Sequence, residues 1–479
     1  MAKESLRSLK TSFPLGAVQN KSKIPLLRLL NLVLFHRDSI SSPIIVTRDI
    51  TLCDQRDRFL IYASTSQKPR LLVLTQYYSP EHFGINALVE KLRSLGSRVS
   101  ILTGQPNYPD GVIFNGYRAA SASVARGDEG DLIRVPIVPR GAKSPMGLVL
   151  NYLSFICSAS TFGSVLTRKT VFDVIFVYAP SPLLQVIPAI LLGKLRGVPV
   201  TVWVQDLWPE SLAATGFVKS RVILWLVERV VRWIYRNCTM VFVQSEAFRP
   251  QVVTLIDDET KIQYLPNAVS FDGEDVPSGT TDLALEIASR KSILFAGNFG
   301  AAQSLGTVLQ AALQLADRPD IHIYLIGSGN QMAELEKQIE TLNLHNVHLP
   351  GRFPNSEMRP LFQAATALLA SLRDDEIFAR TIPSKIQAYM TAGKPIIASL
   401  NGEGARIVAE ADAGFSSPAG DSAALARTIR QVVDLPERER FRLGANGLAY
   451  AKHHFSLDKL AVELAGKLSK LVSQSRAFK

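Results

Sequence analysis

Hydrophobic and polar positions from residue 70 onward form two alternating kinds of segment. Short runs of apolar, often β-branched residues predict buried strands, and longer stretches with apolar residues at helical spacing separate them. This alternation is typical of parallel α/β layers. In the first half of the chain the predicted strands are Leu71–Thr75, Val99–Leu102, Val174–Tyr178, Val200–Val204 and Met240–Val243, and the helical patterns include Ile85–Leu95 and Leu183–Leu195.

A second series of the same kind follows a polar break. The break, Asn267–Ser289, is acidic and contains Gly and Pro, so it is predicted to be a linker, with the domain border near residues 270–285. Two doubly wound α/β domains follow from the two series. The strands predicted after the break are Ile293–Ala296, His322–Ile326, Val347–Leu349, Ala367–Ser371 and Pro395–Ser399.

After Pro418 the pattern is helical only and ends in the amphipathic stretch Leu457–Leu471. Because no strand is left to form, we expect this tail to pack elsewhere, with the first domain as one candidate. In open parallel sheets, ligands bind beyond the carboxyl ends of the strands, so two facing sheets predict a central cleft. The predicted domains cover residues 70–270 and residues 286–455, followed by a terminal helix over residues 456–479.

Composition indicates a globular chain with an uneven charge. The 479 residues are 47% hydrophobic and 20% charged, and the three cysteines form no CxxC pair, which predicts neither disulfides nor a zinc site. A cytoplasmic protein is the expectation. Of the formal net charge of +11, residues 1–70 hold +7, from 12 Lys/Arg and 5 Asp/Glu. The rest is weakly basic and lacks an RNA-binding pattern, which argues against a nucleic-acid partner.

Three segments raise the question of a membrane. The basic leader, residues 1–69, contains the interrupted apolar run Ile24–Phe35 and fits an unstructured extension or start-site artefact, an interfacial anchor or a transit-like peptide. Ser144–Thr167 is uncharged and long enough to span a bilayer, but its polar content favours a buried helix or one that touches lipid from one side. Val222–Arg236 alternates aromatic residues and arginine, which suits either an anionic lipid surface at the inner face of the plasma membrane or a core-packed helix with a basic edge.

Two glycine turns follow predicted strands of the second domain. Gly297 and Asn298 lie in the turn FAGNFG, and Gly327 and Gly329 lie in IGSGN. Glycine lets backbone N–H groups approach a phosphate, and a following helix N-terminus favours negative charge. The third glycine of a dinucleotide fingerprint is absent, which argues against an NAD site. A plain tight turn is the alternative for each segment.

The segment Phe378–Tyr389, FARTIPSKIQAY, has the densest set of candidate residues. Pro383 suits a first helical turn, and Arg380 and Lys385 place two cations around a helix N-terminus. That arrangement suits an anionic group such as a diphosphate. A capped surface helix with solvated charges is the alternative interpretation.

Asp206 directly follows a predicted strand of the first domain, beside Leu207 and Trp208. A carboxylate in that position suits a general base, because partial burial raises its proton affinity. Capping of the next helix is the alternative role, and Glu210 is a weaker candidate for the base. The chain contains no Asp-x-Asp, GxSxG or P-loop motif, so metal ligands and hydrolase or ATPase chemistry are not predicted.

Together these segments resemble the GT-B glycosyltransferases of family 4, close to the colanic-acid, capsule and O-antigen enzymes of bacteria. The resemblance covers about residues 70–470. Its PNYP-x-G and F-x-IN stretches are similar to members that transfer aminosugars, which implies L-fucosamine or a related deoxy or N-acetyl sugar. The motifs that carry it occur in order: TQYYSPEHFGINALVEKL, LTGQPNYPDG, VQDLWPESLAATG, FAGNFGAAQSLG, LIGSGNQ and TIPSKIQAYMTAGKPIIAS.

The resemblance implies a nucleotide-sugar donor held mainly by the second domain and a saccharide acceptor held by the first, with a lipid-linked saccharide as one alternative. It also implies no metal, no cofactor and retention of anomeric configuration. The residues assigned to the donor are Gly84, Gly297, Asn298, Gly327, Gly329, Ser384 and Gln387, and those assigned to catalysis are Asp206, Arg380 and Lys385.

Three departures from the family pattern keep other functions open. The family's Glu-x7-Glu element maps to Ala379 and Gln387, the usual Arg and Lys of the first glycine turn map to Asn298 and Gln303, and Gln205 stands where many relatives have His. An amide can hydrogen-bond a sugar hydroxyl but carries no charge. A sugar-nucleotide epimerase of the same architecture and a silent nucleotide-sugar-binding subunit are therefore the alternatives to a transferase.

Overall fold

The computed structural model describes residues 68–141, 145–214, 218–271 and 281–477. The interpretations of the leader concern residues 1–67, which lie outside the described residues. The described chain contains two sheets, each with its own helices and cores on both faces.

Eight strands, numbered in chain order, form the first sheet. Neighbouring strands are hydrogen-bonded in the order β3-β4-β2-β1-β5-β6-β7-β8. All neighbours are parallel except β3 and β4. The central strands are buried on both faces, as their continuous apolar runs require. The strands are β1 (Leu71–Leu74), β2 (Val99–Gly104), β3 (Ser123–Ala125), β4 (Leu132–Val135), β5 (Val174–Ala179), β6 (Val200–Val204), β7 (Met240–Val243) and β8 (Ile262–Tyr264).

Helices cover the two faces of this sheet differently. Leu72 and Leu74 of β1 point into a core with the second, third and fifth helices, whereas Leu71 and Val73 point into a core with the first helix. The third helix packs between the second and the fifth. The helices are α1 (Gly84–Ser94), α2 (Pro145–Leu166), α3 (Val186–Arg196), α4 (Glu210–Ala214), α5 (Arg221–Asn237) and α6 (Arg249–Val253).

The second sheet is wholly parallel, in the order β11-β10-β9-β12-β13-β14. This is the doubly wound order in which the first and fourth strands of the domain flank the switch point where ligands bind. Its strands are β9 (Lys291–Asn298), β10 (Ile321–Ser328), β11 (Val347–Gly351), β12 (Ala367–Ser371), β13 (Ile396–Ser399) and β14 (Gly414–Ser417).

The helices of the second domain alternate with these strands, and α15 packs against α12. They are α7 (Asp282–Ala288), α8 (Leu305–Leu313), α9 (Met332–Thr341), α10 (Asn355–Ala364), α11 (Glu376–Arg380), α12 (Ser384–Thr391), α13 (Glu403–Glu410), α14 (Ser422–Asp434) and α15 (Glu437–His454).

The last helix, α16 (Leu457–Ala477), returns to the first domain. Leu460, Leu464 and Leu468 are buried in the core that holds Leu71 and Val73 of β1. The helix packs against α1, and Arg476 near its end pairs with Asp173 at 2.7 Å. The chain therefore crosses between the domains twice.

The predicted fold class, α/β with two doubly wound domains, is confirmed, and two details differ. The strands that the sequence did not predict are β3, β4, β8 and β14, all of three or four residues. The linker prediction is wrong at Asp282–Ala288, which forms α7. The Thr281 side chain accepts a hydrogen bond of 3.2 Å from the Ala284 N–H, and Ala284 and Ile287 are buried. A capped, amphipathic turn outweighs the polar composition there.

One described helical stretch, Met146–Lys169, is long and apolar enough to cross a bilayer, judged by length and composition. One face of α2 packs on the first sheet through Asn151, Phe155 and Ala159. Leu150 and Leu153 are among the apolar side chains that remain exposed. The expectation of a buried helix therefore holds for one face only.

Truncation of a buried leucine on α16 tests how much this helix stabilises the first domain. We expect Leu464→Ala to lower the melting temperature by several degrees, because large-to-small changes in a core cost about 2–5 kcal/mol. Val462→Ala, two residues away at an exposed position, is the matched control and changes little. Equal effects in calorimetry would show that α16 does not contribute through burial.

Candidate active site

Two adjoining cavities lie where the carboxyl ends of the two sheets face each other. The first, of about 510 Å³, has walls from both domains, including Tyr178, Asp206, Gln244, Ser371, Ser384 and Lys385. The second, of about 600 Å³, shares Tyr178, Ser384 and Lys385 and adds Gly84 and Gln387. The cleft that the sequence predicts is therefore present, with side chains from both domains around a common space.

Asp206 lies in the wall of the first cavity, directly after β6. Its surroundings, including Tyr178 and Trp208, are largely apolar, and no described side chain donates a hydrogen bond to its carboxylate. Burial raises the pKa of Asp206 to about 7. A carboxyl group with that pKa exchanges a proton readily at neutral pH, which is what a general base requires.

Lys385 approaches the same space from the N-terminal turn of α12. Its ammonium donates a hydrogen bond to the Gln303 side-chain oxygen and lies 4.7 Å from the centre of the Phe295 ring. It forms no ion pair with a described carboxylate. Burial lowers the pKa of Lys385 to about 8. A buried cation without a counter-ion is costly, so an anion in the cavity would stabilise the charged form.

Two helix N-termini add to this positive potential. Gly84 begins α1 and Ser384 begins α12, and both residues line the second cavity. Neither helix has a side-chain cap. Because the first N–H groups of a helix have no partner within it, they carry partial positive charge and bind anions. The second cavity therefore suits an anionic group held between the domains.

Three buried polar atoms in the wall of the first cavity have no hydrogen-bond partner among the described residues. They are Gln205 Nε2, Gln244 Oε1 and Ser371 Oγ. Buried polar atoms are nearly always hydrogen-bonded, so these three atoms are exceptions in the wall of the cavity. Sequence reasoning missed Gln244 and Ser371. The available signal was that each stands at the carboxyl end of a strand, β7 and β12.

Glu81 joins two loops of the first domain beside the cleft. Its buried carboxylate accepts hydrogen bonds from the N–H groups of Tyr78 (3.2 Å), Asn107 (2.9 Å) and Tyr108 (2.8 Å). Desolvation raises the pKa of Glu81, and the three N–H groups oppose that shift. The loops after β1 and β2 are therefore held as one wall.

Comparison with known proteins identifies the family of the chain. Residues 84–268 match the family described as Glycosyl transferase 4-like domain, and residues 290–434 match Glycosyl transferases group 1. The chain belongs to the family 4 glycosyltransferases. The enzyme class and the GT-B fold that the motifs imply are confirmed.

Two curated relatives and one solved structure show how far the similarity extends. The glycosyltransferase is 25% identical over 304 residues to probable glycosyltransferase WbjE of Pseudomonas aeruginosa, covering 62% of this chain and 75% of the relative. It is 26% identical over 300 residues to putative colanic acid biosynthesis glycosyl transferase WcaI of Escherichia coli strain K12, covering 58% and 70%. HepE of Anabaena, solved with UDP and glucose, superposes with a TM-score of 0.60 at 16% identity, covering 84% of this chain and 100% of HepE.

Four predicted donor residues of the glycosyltransferase line neither cavity: Gly297, Asn298, Gly327 and Gly329. A Cβ on Gly327, which has φ +143°, would lie 1.9 Å from the Gly297 carbonyl oxygen, so the two glycine turns need glycine to pack together. A Cβ on Gly297 would lie 2.7 Å from Lys385 Cε. These turns therefore make room for Lys385.

Arg380 also differs from the expected arrangement, because the structure does not bring it to either cavity. It pairs with Glu376, one turn earlier on α11. Glu210, the weaker candidate base, accepts a hydrogen bond from the Gln251 side chain. Gln387 is buried in the wall of the second cavity and donates a 2.8 Å hydrogen bond to the Asn267 carbonyl. Of the three expected catalytic residues, Asp206 and Lys385 share a cavity.

No group of three or more His, Cys, Asp and Glu that could hold a metal ion occurs among the residues that the structure describes.

The raised pKa of Asp206 predicts a pH-dependent cost to stability. Below about pH 4 the carboxyl is protonated in both folded and unfolded states, and the cost is absent. It grows as the pH rises toward 7, because the unfolded state ionises freely and the folded state does not, and it is fully present above pH 7. We expect Asp206→Asn to raise the melting temperature by roughly 2–4 °C at pH 8.

The same substitution should change the melting temperature little at pH 4, and the control Asp421→Asn, at a helix N-cap on the second domain, should not stabilise at either pH. A stabilisation by Asp206→Asn that is equal at both pH values would contradict the burial of an ionisable carboxyl.

Proposed function

We propose that this glycosyltransferase moves a sugar from a nucleotide-sugar donor to a saccharide acceptor in the synthesis of a bacterial surface polysaccharide, with retention of configuration and without a catalytic metal. The observation that carries the proposal is the pair of half-buried ionisable groups, Asp206 from the first domain and Lys385 from the second, in the wall of one cavity. Each lacks a partner of opposite charge among the described residues. Substrates that supply an anion to Lys385 and a proton to Asp206 fit these two residues.

The donor that we propose is a UDP-linked amino or deoxy sugar, such as L-fucosamine. Its diphosphate would occupy the second cavity, where Lys385 and the N-termini of α1 and α12 converge. HepE, which has the same fold, was solved with UDP and glucose, and WcaI is described as a colanic acid biosynthesis enzyme. These relatives support a nucleotide sugar and a polysaccharide context.

The sugar ring would then extend into the first cavity. Gln205, Gln244 and Ser371 offer unpartnered polar atoms there, and neutral amides and hydroxyls suit sugar hydroxyl groups. These residues would select the donor sugar by the positions of its hydroxyl groups. A sugar whose hydroxyl groups leave one of these polar atoms without a hydrogen bond would bind more weakly.

In the transfer step, the bond between the anomeric carbon and the diphosphate oxygen breaks, and the acceptor oxygen bonds to that carbon on the face that the diphosphate leaves, so the configuration is retained. The acceptor's proton passes to the Asp206 carboxylate, and the leaving diphosphate keeps the bonding electron pair. Lys385 and the helix N–H groups stabilise the charge that develops on the diphosphate. Preorganised donors are most effective in such a site because little water competes with them.

The acceptor that we propose is a lipid-linked saccharide held at a membrane surface. Asn151 of α2 accepts a 2.6 Å hydrogen bond from the Gln76 side chain and contacts Asn107 at 3.3 Å, so this apolar helix is tied to the loops of the cleft. The Arg140 guanidinium lies 5.3 Å from the centre of the Tyr108 ring and forms no ion pair with a described carboxylate. That cation suits the phosphate of a lipid carrier.

Lys385→Ala tests the diphosphate site. We expect UDP to bind more weakly and transfer to slow by about 10²- to 10³-fold, the usual cost of losing one such donor. Because burial lowers the pKa of Lys385 to about 8 and an anion favours its charged form, UDP affinity of the parent should fall as the pH rises above 8. The variant should lose that pH dependence in calorimetric titrations.

The exposed Lys337 on α9 gives the matched control, Lys337→Ala, which should keep both affinity and rate. A Lys385→Ala variant that transfers sugar at the parental rate would show that the leaving group is stabilised elsewhere. A panel of UDP- and GDP-sugars, scored by thermal stabilisation, first selects the donor for these assays.

Asp206→Asn tests the base separately from donor binding. We expect transfer to fall by about 10²- to 10⁴-fold, the contribution usual for a general base, while UDP affinity is unchanged. The parental rate should rise with pH and level off above about pH 7, where the carboxylate is ionised. Glu210→Gln, which alters the neighbouring carboxylate, is the control. If that variant loses activity and Asp206→Asn keeps it, the base is Glu210.

A further inference from the structure

Helices α2, α3 and α5 form a broad apolar surface on the first domain that no described residue covers. We call it the three-helix face. Large apolar side chains are exposed on each helix, including Leu150 and Leu153 of α2, Leu191 and Leu195 of α3, and Trp225 and Trp233 of α5. Single exposed apolar residues are normal on a protein surface, but a patch that continues over three packed helices indicates an interaction site.

The core does not need the exposed side chains of α5. The opposite side of that helix is already apolar and buried through Val231, Ile234 and Tyr235. Trp225 and Trp233 are nevertheless 54% and 39% exposed. The helix is thus apolar on two sides, one of which packs on the fold and one of which has no described partner.

The charge on these helices is mostly positive, although Arg236 of α5 pairs with Asp257 at 2.8 Å. Helices α2, α3 and α5, with the 3-10 turn Thr167–Lys169, contain eight Lys or Arg residues and one acid, Glu228. Glu228 is paired with Arg232 at 2.8 Å. The Arg229 guanidinium lies 5.1 Å from the centre of the Trp225 ring, and the Lys194 ammonium lies 5.8 Å from that of Trp233. Cations therefore surround the exposed tryptophans.

We propose that the three-helix face docks on a lipid bilayer that contains anionic lipid. Tryptophan favours the boundary between headgroups and acyl chains, and each Lys or Arg near an anionic surface adds about 1 kcal/mol of attraction. A second copy of the chain would oppose the same basic charge, which disfavours self-association through this face. The proposal rests on the proposed membrane location of the acceptor, but its test requires no sugar transfer.

Docking in this manner places the cleft beside the lipid. Helix α2 belongs to the three-helix face, and its Asn151 contacts the cleft loops through Gln76 and Asn107. The lipid tail of an acceptor would thus remain in the bilayer while its saccharide reaches Asp206. The three-helix face and the contacts to the cleft loops therefore lie on two sides of one helix.

The tryptophans provide a direct measurement on the full-length protein. Of the four in the chain, Trp203 and Trp208 are 3% and 5% exposed, so an environmental change reports on Trp225 and Trp233. We expect vesicles of phosphatidylcholine with phosphatidylglycerol to shift the emission to the blue and to protect it from acrylamide. Vesicles of phosphatidylcholine alone should do so more weakly, and added salt should reduce the difference.

The double variant Trp225→Ser/Trp233→Ser should lose at least tenfold in vesicle co-sedimentation. Phe441→Ser, which removes a 74% exposed aromatic from α15 of the second domain, is the matched control and should sediment like the parent. UDP-induced thermal stabilisation should be the same in all three proteins, which separates a failure of docking from a failure of the proposed function.

Three outcomes would overturn the proposal. Co-sedimentation of the double variant at the parental level would place any membrane contact outside the three-helix face. Tryptophans already protected from acrylamide before vesicles are added would show that another part of the chain covers the face. A dimer of the parent that dissociates in the double variant, measured by light scattering, would assign the face to a second copy.

Discussion

Parallel pairing of strands is the constraint on which the rest of this structure depends. It brings the carboxyl ends of all strands in a sheet to the same edge, except that of the short antiparallel β3. Residues that end strands therefore meet even when they are far apart in the chain. Gln205 and Asp206 follow β6, Gln244 follows β7 and Ser371 ends β12, and all four line one cavity.

This geometry has an electrostatic consequence. Asp206 and Lys385 are half-buried in a wall built from strand ends and helix N-termini, without partners of opposite charge among the described residues. Desolvation raises the pKa of Asp206 and lowers that of Lys385, so both shifts favour the neutral form. This limits the free-energy cost of holding the two groups away from water at neutral pH. The same shift leaves Asp206 ready to take a proton and Lys385 ready to gain one when an anion arrives. Gly297 supports this by leaving space for the Lys385 side chain.

The sequence predicts the buried parts of the fold well, because continuous apolar runs such as Val200–Val204 fit few other structures. It does not predict β14, whose residues GFSS carry a single large apolar side chain and pair only because β13 presents an open edge. The polar composition also predicts a linker at Asp282–Ala288, which is a helix because a threonine caps it and two of its apolar residues are buried.

Prediction of the site succeeds where position along an element determines the chemistry. Asp206 and Lys385 stand directly after a strand and in the first turn of a helix, so the motif alone places them in the cleft. Arg380 lies outside both cavities and pairs with Glu376, four residues earlier on the same helix, a spacing that favours an ion pair. Gln244 and Ser371 are marked in the sequence only as polar residues at strand ends, and their lack of a hydrogen-bond partner is visible only in the folded structure.

The two faces of the first sheet have different roles. One face is covered by α1 and by α16, the helix that follows the second domain in the chain and packs back on the first. This face therefore also joins the two domains. The other face carries α2, α3 and α5 and stays apolar and basic on its outer side. A bilayer on that side would leave α16 and the second domain free, since neither contributes to the three-helix face.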